Sequence, residues 1–91
     1  MNIEEFCNKH NIVNKNNKND ISNNIIIEWL IENKNIFITT DVSYDFKNLK
    51  WVYRFYITDL LTQDRYATLD NYDTNKKCIN AAIEYVIKNL L

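Results

Sequence analysis

The apolar positions of this chain follow two different periods, and the change between them divides it into elements. Over residues 3–10, Ile3, Phe6 and Cys7 fall on one face of one or two helical turns. Residues 14–20, Asn-Lys-Asn-Asn-Lys-Asn-Asp, carry no hydrophobic period and read as a polar linker. Asp20 or Ser22 can cap a helix that runs to about Asn33, with Ile26, Trp29, Leu30 and Asn33 as its inward stripe. Trp29 is expected to pack against the last helix or the sheet. Ile25, Ile27 and Ile31 make the same helix apolar around much of its girth, which calls for neighbours on two sides.

From Ile36 the period shortens to two. Ile36, Ile38, Thr40, Val42 and Tyr44 share one face, and Phe37, Thr39, Asp41, Ser43 and Asp45 share the other. Asp45 to Lys50 is a polar connection. Trp51 to Thr58, rich in aromatic and β-branched residues, is a second strand, and Arg65 to Asn71 a third. Asp73, Thr74 or Asn75 can cap a final helix whose buried stripe is Ile79, Ala82, Ile83, Val86 and Leu90. Lys77, Asn80, Glu84 and Lys88 lie towards its opposite side. The expected fold is α+β, in the order α-β-β-β-α: a three-stranded antiparallel meander with two helices on one face. Residues 1–20 add a short helical extension and a linker; residues 21–91 form the domain proper.

Composition changes this picture in three ways. The 91 residues contain neither glycine nor proline, so turns must rely on Asn and Asp. Asn, Ile and Lys dominate, a bias that AT-rich coding produces and that suggests a virus, phage, mobile element or low-GC bacterium. The net charge of −1 requires basic groups to cluster if a polyanion is to be held. Cys7 and Cys78 are expected to be reduced thiols of a cytoplasmic chain. The start, with Asn2, Glu4 and Glu5, has no apolar stretch of a secretory leader. No apolar run approaches membrane-spanning length, so no membrane association is expected.

Two lysines, Lys76 and Lys77, open the last helix, where free N–H groups and the helix dipole already favour anions. Together with the element order, two segments carry a resemblance over residues 22–91. Ile26-Ile27-Glu28-Trp29-Leu30 looks like the first helix of the double-stranded RNA-binding domain family. Asn75-Lys76-Lys77-Cys78-Ile79-Asn80-Ala81-Ala82 is similar to that family's Lys-Lys-x-Ala-Lys segment and the alanines after it. The resemblance implies a module that reads A-form shape without catalysis. Glu28 would face a minor groove, Lys76 and Lys77 would hold phosphates, and Asn80 would occupy a third, normally basic position. The family's Gly-Pro-x-His loop is absent from Asp45-Phe46-Lys47-Asn48-Leu49-Lys50, where Lys47 and Lys50 remain to reach phosphate.

Other chemistry is thinly represented. His10, the single histidine, stands three residues from Cys7, and with Cys78 these provide too few ligands for a metal site. No Gly-rich phosphate loop exists. No catalytic residue and no cofactor is expected. Arg54, Tyr56 and Tyr66 are candidates for a protein contact on the open sheet face. The partner is therefore expected to be duplex RNA or a host protein or nucleoprotein complex. In the second case the chain would be a small viral or phage protein that inhibits a defence complex, such as a CRISPR effector, by direct contact.

Overall fold

Ile26 and Leu30, one helical turn apart, and the strand residues Ile38 and Ile57 all need the same apolar interior, and this need organises the fold. The computed structural model describes residues 2–12, 23–68 and 70–91. Along these residues run α1 (Ile3–Lys9), α2 (Asn23–Lys34), β1 (Ile36–Asp45), β2 (Lys50–Asp59), β3 (Arg65–Ala67) and α3 (Asn75–Asn89). The α+β order expected for the chain is the one observed, with α1 placed before it. The strands form one antiparallel sheet in the order β1-β2-β3. The expected linker at 14–20 and the candidate caps Asp20 and Ser22 lie outside the described residues.

The register fixes the two faces. Ile38 opposes Ile57, which opposes Tyr66, and Thr40 opposes Phe55, so these side chains face the helices. α3 adds Cys78, Ala82, Ile83, Val86 and Ile87 to that interior, and α2 adds Ile26 and Leu30. Phe6, Cys7 and Ile12 belong to the same buried cluster. α1 therefore shares the core of residues 23–91. It also changes the expected place of Trp29. The indole is half-buried and meets α1: Phe6 edge-on at 5.4 Å and His10 at 4.9 Å. Asn33, expected on the inward stripe, is exposed, and its amide donates to Trp29 O at 3.0 Å.

β3 ends sooner than expected, at Ala67. Ala67 opposes Tyr56, and the next paired residue, Tyr72, opposes Tyr53. The outer chain thus spends more residues than β2 over the same length. Thr68 N–H still donates to Phe55 O at 3.1 Å, and Asp70 N–H turns back to the Thr68 hydroxyl at 3.0 Å. Tyr72 then exchanges both backbone hydrogen bonds with Tyr53, at 2.8 and 3.0 Å. This carries the chain along β2 towards the β1–β2 turn and delivers it to the start of α3.

Candidate interaction surface at the hairpin end

Three side-chain contacts join β1, β2 and α2 to α3 and the chain just before it. Lys50, the first residue of β2, donates from Nζ to Asp73 Oδ1 at 3.0 Å. Thr40 of β1 donates from Oγ1 to Asn75 Oδ1, at the first residue of α3, at 2.9 Å. Asn23, at the start of α2, donates from Nδ2 to Asn80 Oδ1 in α3, also at 2.9 Å. The start of α3 therefore lies beside the middle of β1, the chain just before it reaches the first residue of β2, and the start of α2 meets the second turn of α3. Lys47 and Lys50 are exposed at the β1–β2 turn, and Lys76 and Lys77 are exposed on the first turn of α3.

Local electrostatics there is mixed. The Lys50 ammonium, by its hydrogen bond and then its charge, holds the Asp73 carboxyl below the usual carboxylate range, and Lys77 adds to the effect. Asp45 is held low chiefly by the hydrogen bond from the Asn48 side chain. Its carboxylate closes the turn, accepting from Asn48 Nδ2 at 2.8 Å and from the amides of Lys47 and Asn48 at 3.0 and 3.3 Å. The α3 start is capped by Thr74, whose Oγ1 accepts from Lys77 N–H at 3.2 Å. That leaves the amides of Asn75 and Lys76 as the helix-start donors without an intrahelical partner.

Several expected site residues stand elsewhere. Asn80 is half-buried and engaged with Asn23, so it serves the α2–α3 contact and does not extend the lysine pair. Glu28 is exposed on α2 and forms no ion pair among the described residues. Arg54 and Tyr56 do share the open face, opposite Asp41 and Thr39. Both are half-buried and already engaged there. Arg54 Nε donates to Asn71 Oδ1 at 3.0 Å, and the Arg65 guanidinium lies 5.0 Å from the centre of the Tyr56 ring. Tyr66 does not join them. Its pairing with Ile57 turns it to the helix face, where its ring lies 6.3 Å from that of Tyr85.

A set of apolar residues near the β1–β2 turn stands outside the expected site. Beyond Thr40 the helices no longer cover β1, and Val42, Tyr44, Phe46, Leu49 and Trp51 are exposed. Tyr44 meets Phe46 edge-on at 5.0 Å and Trp51 at 5.2 Å. Alternation placed Val42 and Tyr44 on the helix face, but only strand length compared with helix cover reveals that they outrun the core.

Elsewhere, His10 lies against Phe6 and Trp29, and burial pushes the Cys7 thiol up, away from the thiolate a nucleophile needs. Burial does the same to Cys78. Among the described residues, no three His, Cys, Asp or Glu side chains gather as a metal site. No helix among them is long and apolar enough to cross a membrane. No protein-family model matches the sequence, and no curated protein or solved structure matches it.

Proposed function

We propose that this chain is a non-catalytic binding module that grips the backbone of duplex RNA with its hairpin end. The observation that carries this reading is the Lys50–Asp73 contact, which ties the turn bearing Lys47 and Lys50 to the chain just before Lys76 and Lys77 on the first turn of α3. A duplex offers rows of phosphates on a shape the protein reads without base contacts, and two separated lysine pairs suit two such rows. Cations at a helix start oppose the dipole, and a bound phosphate offsets that cost while accepting from the free amides of Asn75 and Lys76. Asp45 and Asp73 moderate the field, so affinity depends on the four lysines acting together.

Salt titration with duplex RNA tests the reading. The native chain is expected to bind at low salt, with affinity falling steeply as salt rises. The double variant Lys76→Gln/Lys77→Gln should keep its fold, bind more weakly and lose about two units of the log–log salt slope. No binding at low salt, or an unchanged slope in the variant, removes the proposal. Recovery of a stoichiometric host protein that survives nuclease treatment would favour inhibition by direct protein contact instead.

A further inference from the structure

The lysines account for a backbone grip, but they leave the apolar rings beside them without a role. Phe46 is 80% exposed, Leu49 74% and Trp51 64%, a large apolar area for so small a chain. These groups are held, not loose. The Asp45 carboxylate anchors the turn by three hydrogen bonds, and Tyr44 braces both Phe46 and Trp51. Leu49 adopts a left-handed backbone (φ 53°), so the turn keeps a bulky apolar residue where an Asn or Gly would sit with less strain. Solvent-exposed rings, a rigid support and a strained apolar residue within one short turn mark a contact surface.

Resting on the duplex-RNA reading, we propose that Phe46, backed by Tyr44 and Trp51, is a stacking platform for unpaired bases. The module would then prefer duplexes that end in a single strand or contain a bulge. Charge selects this occupant. Lys47 and Lys50 belong to the same turn as the rings and Lys76 and Lys77 open the helix that follows Asp73, so four lysines against the carboxylates Asp45 and Asp73 leave an excess of positive charge on this part of the chain. Aromatic faces together with surplus cations are the combination that holds a nucleic-acid strand, rings on bases and lysines on phosphates. An intact duplex hides its base faces except at its ends. Rings beside a backbone grip therefore gain contacts only where bases leave the stack.

The experiment compares a blunt RNA duplex of about 20 base pairs, long enough for one such module, with the same duplex carrying a short single-stranded 3′ extension. The native chain should bind the extended duplex at least about fivefold more tightly, the low end of one stacked base. Tryptophan fluorescence, to which Trp51 and Trp29 both contribute, should respond more strongly to it. Phe46→Ala should abolish the preference and lower affinity for the blunt duplex by much less than for the extended one. Lys76→Gln/Lys77→Gln should weaken both complexes and preserve their ratio. Equal affinity of the native chain for both duplexes overturns the platform while leaving the backbone grip standing. Binding to neither overturns both. Equal affinity together with a native dimer that Phe46→Ala dissolves overturns the platform and assigns the rings to a second copy of the chain.

Discussion

At the scale of single residues, the absence of glycine has a visible consequence. Four described residues have positive φ: Asn11, Asn35, Leu49 and Gln63. Asn11 and Asn35 stand just beyond α1 and α2, where asparagine tolerates the left-handed region at little cost. Leu49 has no such excuse, and its backbone costs about 1–2 kcal/mol relative to a right-handed one. Leu49→Gly removes that strain but adds chain entropy of about 0.5–1 kcal/mol. The variant should gain up to about 1 kcal/mol in urea unfolding, and a clear loss would show that the leucine side chain supports the turn. Asn11 and Asn35 agree with the general expectation that turns here rely on Asn and Asp, although the sequence singles out neither position. Leu49 was not legible in the sequence, since nothing in a leucine announces a left-handed backbone. Asn80 was equally opaque: a half-polar helix position looks the same whether it meets a phosphate or, as here, the amide of Asn23.

At the scale of elements, periodicity identified α2, β1, β2 and α3 because each has several apolar residues in phase. It could not locate the partners of Trp29. α1 spans only Ile3–Lys9, and its buried residues Phe6 and Cys7 give no sign of where they dock. Tyr66 was misplaced for a related reason: alternation gives the parity within a strand, whereas the pairing of Tyr66 with Ile57 decides which parity faces the helices. The ring cluster of Phe6, His10 and Trp29 ties α1 to α2, while the rest of α1 packs on α3. Trp29→Ala should therefore cost about 1.5–3 kcal/mol, less than a fully buried tryptophan loses on truncation. The denaturant slope should fall if α1 lifts away in the native state, because less surface is then exposed on unfolding. An unchanged slope with a full loss near 5 kcal/mol would place the indole in the shared core.

At the scale of the whole molecule, element order was legible but the meeting of elements was not. The contacts that tie β1, β2 and α2 to α3 and the chain just before it join residues far apart in sequence, Lys50 to Asp73, Thr40 to Asn75 and Asn23 to Asn80, and no local pattern records them. The exposed ring array was hidden similarly, since its exposure depends on where the helix layer stops. The two buried cysteines carry a different consequence. Neither is in a disulfide, and burial disfavours the thiolate at both, so a thiol reagent can reach them only while the structure is open. Cys78 lies in α3 at the centre of the core, whereas Cys7 needs only α1 to leave. Alkylation followed by peptide mass spectrometry should then show Cys7 reacting faster than Cys78 in the native chain. Equal rates would mean that α1 opens only when everything else does. Where opening and closing outpace the chemistry, the two thiols act as clocks for separate events, and the logarithm of their rate ratio measures how much more readily α1 detaches than the core unfolds.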